Sequence, residues 1–302
     1  MNIVFFANGQ FAIPSIKSLH NSKHNLLTVI SNNDKVGGRG NKKISTPVSK
    51  YCKKLNINLY KIDNINNEAF AQKLIKLNAD IFITISYKII PEKIFSIPSY
   101  NTINVHASLL PSYKGAAPIQ RSIINNENII GLTVFEINSK IDSGRIINQK
   151  KYCLNNKDNY GVIHDMLSIE SASLLQNSLD MIRDKKCFSY NIKENKYANK
   201  IQKEEFKIEL NNDSILINNM FRALTPPGPY LFFKSKKIKL FNTSCNMKTI
   251  MKAGQWKIDN RKLYIGCNKG TLIAENVQFE GKKIITISDF KNMNHNNSNE
   301  FE

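Results

Sequence analysis

The stretch Thr102-Ile103-Asn104-Val105-His106-Ala107-Ser108-Leu109-Leu110-Pro111 concentrates the side chains best suited to chemistry. In a strand, residues two apart share a face, so Asn104 and His106 point one way while Ile103 and Val105 point the other. A buried parallel strand should be apolar on both faces. Two polar side chains together at its carboxyl end are costly there, unless they face the crevice in which open α/β sheets bind their ligands. The alternative is a strand end already emerging into solvent, with His106 merely hydrogen-bonded. Further along stands Asp142, before Ser143-Gly144. Taken alone, an Asp in such a turn reads as one that hydrogen-bonds its own backbone. Taken together, the three groups offer an amide donor, an imidazole that donates or accepts near neutral pH, and a carboxylate that can act as a base or orient the imidazole. That set suits attack on a carbonyl. With no activated Ser or Cys beside it, it points to direct transfer rather than a covalent enzyme intermediate.

The elements that must hold these residues alternate. Asn2 to Phe6, Leu26 to Ile30, Ile57 to Lys61, Ile81 to Ile85 and Thr102 to Val105 read as strands; Ala12 to Leu19, Pro47 to Leu55 and Glu68 to Leu77 carry the apolar spacing of helices. This predicts an α/β fold with an open, mostly parallel, Rossmann-like sheet. Gly131 to Ile137 and Arg145 to Tyr152 read as an edge hairpin around Asp142-Ser143-Gly144, and an amphipathic helix over Tyr160 to Arg183 closes a first domain, residues 1–183. The polar, lysine-rich stretch 184–205 reads as a connector. A second domain, 206–302, opens with a helix at Ser214 to Leu224 that Thr225-Pro226-Pro227-Gly228-Pro229 must stop. Short alternating runs follow at Tyr230 to Phe233, Lys237 to Phe241, Lys262 to Cys267, Gly270 to Val277 and Lys283 to Ile287, the pattern of a small OB-like β-barrel. The Asn-rich tail after Asn292 is expected to be disordered.

A hydrophobic fraction of 41% over 302 residues fits a globular chain of two domains. No run approaches the ~18 consecutive apolar residues of a membrane span. The start, Met1 to Ala7, is strand-like with neither a basic leader nor a cleavage site, so no export is expected and the cytoplasm is the expected compartment. Cys52, Cys153, Cys187, Cys245 and Cys267 are scattered, outside any C-x-x-C spacing, and read as reduced thiols with no metal site. A net charge of +19 fits a polyanionic partner, since Lys and Arg that neutralise phosphates release counterions. Lysine enrichment imposed by an AT-rich genome is the alternative. Residues 206–302 hold 15 Lys plus Arg against 8 Asp plus Glu.

Asn104-x-His106-x-Ser108-Leu109-Leu110-Pro111, Gly115, Gly131-x-Thr133 and Asp142-x-Gly144 resemble the signature of formyltransferases that use 10-formyltetrahydrofolate. The resemblance implies that Asn104, His106 and Asp142 are the catalytic groups and that Ser108, Leu109, Leu110 and Pro111 contact the folate co-substrate. Three further regions are similar to the methionyl-tRNA formyltransferase branch: Phe5 with Phe11-Ala12-Ile13-Pro14-Ser15; the basic loop Asp34 to Lys42; and, in the second half, Tyr197-Ala198, Arg222-Ala223, Pro227-Gly228-Pro229-Tyr230 and Gly281-Lys282-Lys283. By resemblance the partner is initiator methionyl-tRNA, approached by Arg39 and Lys42, and the chain is expected to be a monomer. Glycines in that loop let backbone come close to a phosphate chain, while Arg39 and Lys42 supply charge-assisted contacts. Two positions depart from the family: Ala7-Asn8-Gly9 replaces its usual Gly-Thr-Pro, and Lys114 stands where Arg is usual. Rival readings are a formyltransferase acting on a nucleotide-linked amino sugar and a noncatalytic RNA-binding protein.

Overall fold

In the computed structural model, which describes residues 1–37, 41–186, 196–293 and 301, the run Ile3 to Ala7 is fully buried at the centre of a seven-stranded sheet. The chain divides into two compact units that are not contiguous in sequence: Met1–Gly115, Ile130–Tyr152 and His164–Tyr197 form one, and Ala116–Ile129, Cys153–Ile163 and Ala198–Glu302 the other.

The first unit's strands are, in chain order, β1 (Asn2–Ala7), β2 (Asn25–Ser31), β3 (Lys35–Gly37), β4 (Lys42–Ile44), β5 (Leu59–Lys61), β6 (Ile81–Ile85), β7 (Thr102–His106), β8 (Lys114–Gly115), β9 (Ile129–Glu136) and β10 (Ile146–Cys153). The large sheet has the order β10-β9-β7-β6-β1-β2-β5. Pairs β1–β2, β2–β5, β1–β6 and β6–β7 are parallel, and β7–β9 is antiparallel. This is the Rossmann-like sheet that the alternation predicts, with β9 and β10 at one edge. Its strands are apolar on both faces because helices cover both. Thr46 and Asn67 cap the helices Pro47–Lys54 and Glu68–Lys76 by accepting from Ser49 N and Phe70 N, and Pro47 occupies the first turn, where its missing N–H costs nothing. On one face Phe6, Phe82, Phe70 and Leu74 share a core, with the Phe6 and Phe82 rings 5.5 Å apart. The helix Tyr160–Arg183 buries Leu167, Leu175 and Leu179. Its serines let it sit close: Ser171 Oγ lies 2.9 Å from Ser15 Oγ, and Ser168 Oγ donates to Phe11 O at 2.8 Å.

In the second unit two antiparallel four-stranded sheets enclose one core, in which Leu231, Ile238, Leu240, Leu263, Ile265 and Leu272 are buried. Gly270 to Val277 reads as one strand but forms two, Thr271–Ala274 in one sheet and Asn276–Phe279 in the other. The break falls at Glu275, an exposed residue whose N–H bonds Phe241 O, and there the chain crosses between sheets. The run at Lys283 to Ile287 shrinks to a two-residue strand, Ile285–Thr286, because Thr286-x-x-Asp289 starts a helix at Ile287. Thr286 Oγ1 accepts from Asp289 N at 3.2 Å and donates to Asp289 Oδ2 at 2.8 Å, a reciprocal cap. Of the tail read as disordered, residues 294–300 and 302 lie outside the described residues, but Phe301 is buried. Its ring sits 4.7 Å from that of Phe233, and its N–H bonds Gly254 O, so this one apolar residue belongs to the core.

Two arginines tie polar segments into this unit. Arg121, on the helix Pro118–Ile124, pairs bidentately with Glu205 at 2.5 and 2.9 Å and donates to Asn199 O and Lys200 O, so the described end of the stretch read as a connector is held. Within 184–205, residues 187–195 lie outside the described residues. Arg222 is buried and donates to Asp158 O, Asn155 O and Asn219 Oδ1, all within 3.0 Å; burial lowers its pKa from the usual value. Replacing Arg222 by Met removes three hydrogen bonds, one of them to the buried Asn219 side chain, and urea unfolding should show a loss of about 1–3 kcal/mol. Arg121 holds the Glu205 carboxyl below its ordinary range. The pair's contribution is therefore complete above the unfolded carboxylate value of ~4.3 and fades as pH falls through the lowered folded value. An Arg121→Met variant should differ from the parent in thermal midpoint at pH 7, and this difference should shrink in acid.

Candidate active site

The two polar residues of β7 stand at its carboxyl end, where Asn104 pairs with Thr84 of β6 and Phe135 of β9, and His106 with Thr133 of β9. Asn104 is half-buried, and no other described residue takes up its side-chain amide. His106 is 7% exposed. Its Nε2 lies 2.8 Å from the carbonyl oxygen of Tyr113, and its Nδ1 lies 3.8 Å from Asp142 Oδ2. Asp142, in isolation the weakest of the three, does not close its own turn with its carboxylate. Ser143 Oγ donates to Ile141 O and Asn138 Nδ2 to Ser143 O, while Asp142 Oδ2 accepts the N–H of Gly115 at 2.8 Å. The structure thus brings His106 and Asp142 face to face and sets Asn104 on the same face of β7.

The turn that carries Asp142 is shaped by Gly144. A Cβ there would come 1.5 Å from Glu136 O, so only glycine lets the chain pass from β9 into β10 this closely. Lys114, on the strand facing the turn, donates from Nζ to Ser143 Oγ at 2.8 Å. The Arg-to-Lys difference at this position therefore leaves a charged donor on the turn, as a point contact rather than a planar fork.

Ser108 to Pro111 is held from below by one hydroxyl. Thr133 Oγ1 donates to Ser108 O at 2.6 Å, accepts from Leu110 N at 3.1 Å, and accepts from Gln149 Nε2 at 2.9 Å; Gln149 also donates to Leu110 O at 2.8 Å. Ser108 spends its own hydroxyl on Ser112 O at 2.7 Å. Ser108 and Leu110 are buried and build the loop; Leu109 and Pro111 are half-buried and present surface. Gly131 lies under Leu109, whose side chain would be 2.3 Å from a Cβ at that position. Sequence reading missed Tyr113 and Gln149. The legible signal was Thr133, a polar residue amid the apolar run Ile129 to Phe135, and it is fully buried.

Ala7-Asn8-Gly9 holds the neighbouring strand ends. Asn8 Oδ1 accepts from Ser31 Oγ at 3.0 Å and from Asn32 N at 2.8 Å, which ties β1 to the end of β2. A Cβ on Gly9 would press to 3.0 Å on Ser86 Cβ, just beyond β6. The basic loop read from sequence is a two-stranded antiparallel ribbon, β3 with β4, in which Lys42 pairs with Gly37 and Lys35, Lys42 and Lys43 are exposed. Arg39 lies outside the described residues. Among the described residues no group of three or more His, Cys, Asp or Glu is placed to hold a metal ion, and no helix is long and apolar enough to cross a membrane. A Gly144→Ala variant should push Asp142 off His106, so activity should fall at least ~10²-fold while far-ultraviolet circular dichroism stays near that of the parent.

Residues 1–177 match the family described as "Formyl transferase", and residues 200–295 match "Formyl transferase, C-terminal domain". The chain is 36% identical over 301 residues to the methionyl-tRNA formyltransferase of Sulfurihydrogenibium sp. (strain YO3AOP1), covering 96% of each. It is 34% identical over 292 residues to that of Thermodesulfovibrio yellowstonii, covering 95% of this chain and 94% of the relative. Among solved structures, an N-formyltransferase from Helicobacter canadensis in complex with folinic acid and dTDP-3-aminofucose shares the fold with a TM-score of 0.65 at 20% identity, covering 90% of this chain and 98% of that one. With a Rossmann-like sheet, a second unit of antiparallel strands and near-complete coverage at these identities, the chain belongs to the formyl transferase family, in its methionyl-tRNA formyltransferase branch.

Proposed function

We infer that this chain transfers a formyl group from 10-formyltetrahydrofolate to the α-amino group of methionyl initiator tRNA, and that Asn104, His106 and Asp142 carry the chemistry. The observation that supports the residue roles is the facing of His106 Nδ1 and Asp142 Oδ2 at 3.8 Å on the side of β7 where the Asn104 amide is unclaimed by other described residues. 10-Formyltetrahydrofolate, when bound, supplies a formyl carbon attached to a nitrogen that can leave with one proton. The incoming amine has a reference pKa of only ≈ 7.7–8.0, so much of it is neutral near pH 7 and a strong base is unnecessary. As its nitrogen bonds to the formyl carbon and the bond to the folate nitrogen breaks, the amine gives up one proton and the folate nitrogen gains one, leaving a formamide and tetrahydrofolate. Asn104 and His106 donate hydrogen bonds to the formyl oxygen while it carries negative charge. Asp142 holds His106 protonated or receives the amine proton, directly or through a water. Leu109 and Pro111 offer the folate apolar contact, and Ser108 and Leu110 keep them in place.

Charge selects the RNA. The exposed lysines of the β3–β4 ribbon, Arg39 between its strands and the basic segment 206–302 are the contacts assigned to tRNA, with 1–183 as the catalytic part and 184–205 joining them. Phosphate contacts release counterions, so affinity for methionyl-tRNA should fall steeply with salt, and a Lys42→Ala variant should lessen the slope. The working form is assigned as a cytoplasmic monomer, which sedimentation of the purified chain tests. Incubation with 10-formyltetrahydrofolate and methionyl initiator tRNA, followed by ester hydrolysis, should release N-formylmethionine; a product formed equally well on a free amino sugar without RNA would overturn the substrate assignment. Asn104→Ala should lower kcat by ~10² to 10³ with the fold intact, the usual cost of one donor to a developing oxyanion.

A further inference from the structure

One three-residue segment touches both members of the His106–Asp142 pair. Tyr113 meets His106 Nε2 through its carbonyl oxygen at 2.8 Å, and Gly115 meets Asp142 Oδ2 through its N–H at 2.8 Å. Between them Lys114 reaches the turn of Asp142 at Ser143 Oγ. The segment is itself pinned. Tyr113 is 6% exposed, its N–H bonds Lys196 O at 2.5 Å, and it occupies the left-handed region at φ 61°. A carbonyl oxygen only accepts, so the nitrogen facing it must carry a proton whether the ring is neutral or charged. The other nitrogen, Nδ1, is then the one whose proton can come and go, and it is the one that faces Asp142.

We propose that Tyr113 is a positioning residue: its main-chain carbonyl locks a proton on His106 Nε2, so that Nδ1 alone exchanges a proton and alone meets the reacting oxygen. This rests on the reading of His106 as a catalytic group. Neutral His106 then presents a bare acceptor at Nδ1, and only the charged ring donates there. Asp142, held opposite by Gly115, is the carboxylate that faces Nδ1. The left-handed conformation of Tyr113 is what turns its carbonyl toward the imidazole; a β-branched residue at this position would resist that conformation and glycine would accept it.

The tautomer is read directly by nitrogen magnetic resonance of the protein labelled with ¹⁵N-histidine, without substrates, so the result stands apart from whether formyl transfer occurs. The chain has 5 histidines, and loss of one signal set in His106→Asn assigns the relevant ring. In the neutral ring Nε2 of His106 should be the protonated type and Nδ1 the bare one. A neutral ring protonated at Nδ1, or an even mixture of the two tautomers, would overturn the proposal. In Tyr113→Gly the Nε2–H signal should persist, whereas in Tyr113→Val it should give way to a mixture; an unchanged tautomer in Tyr113→Val would also count against it. Activity supplies an independent arm. An asparagine amide falls near the place of Nδ1 and a glutamine amide near that of Nε2, so His106→Asn should keep about tenfold more kcat than His106→Gln, as expected when one of the two retains a donor at the oxyanion. The reverse order would locate the reacting nitrogen at Nε2 and refute the lock. Absence of N-formylmethionine from the unaltered protein would instead sink the functional reading and leave the tautomer result to be judged on its spectrum.

Discussion

The polar architecture at the carboxyl end of β7 hangs from one buried hydroxyl, that of Thr133. It takes three hydrogen bonds, to Ser108 O, Leu110 N and Gln149 Nε2, in a place with no exposure to water. A backbone group left unpaired there would cost about 1–3 kcal/mol, so each bond constrains where the chain runs next. Held at Ser108 and Leu110, the chain turns back, and Tyr113 to Gly115 come to lie over His106 and Asp142. The residues assigned to folate contact and the segment that touches His106 and Asp142 are two parts of one loop suspended from this point.

That suspension works because the sheet changes direction at its edge. Parallel strands β1, β2, β5, β6 and β7 present their carboxyl ends together, as βαβ units require. β9 then runs antiparallel to β7, so Thr133 falls opposite His106 and Glu136 opposite Ile103. The connection onward to β10 carries Asp142. Gly144 makes the connection tight enough for the carboxylate to reach the imidazole from a strand that is not a neighbour in sequence.

Much of this frame was legible beforehand. Five apolar runs separated by helical spacing correctly announced the parallel sheet, and the helix Tyr160–Arg183 has the bounds its apolar periodicity marks. The legible errors share a cause. Gly270 to Val277 is one uninterrupted β-rich run, yet Thr271–Ala274 and Asn276–Phe279 belong to different sheets, because alternation reports which face is buried and not which sheet a residue joins. Phe301 sits in an Asn-rich tail whose composition says nothing of a pocket formed by Phe233 and Trp256.

By itself the sequence determined that Asn104 and His106 share a strand face, that they end a buried strand where polar groups need a reason, and that residues 206–302 are basic. These follow from the strand's two-residue period and from counted charge, both local properties. Tertiary structure alone decided that Asp142 meets His106, that Thr133 and Gln149 hold Ser108 and Leu110, and that Tyr113 occupies one imidazole nitrogen. Those contacts join groups from 7 to 39 positions apart, and those of the loop run largely through hydrogen bonds to backbone atoms. Every residue but proline carries the same backbone N–H and C=O, so residue type does not advertise which of them a fold will use.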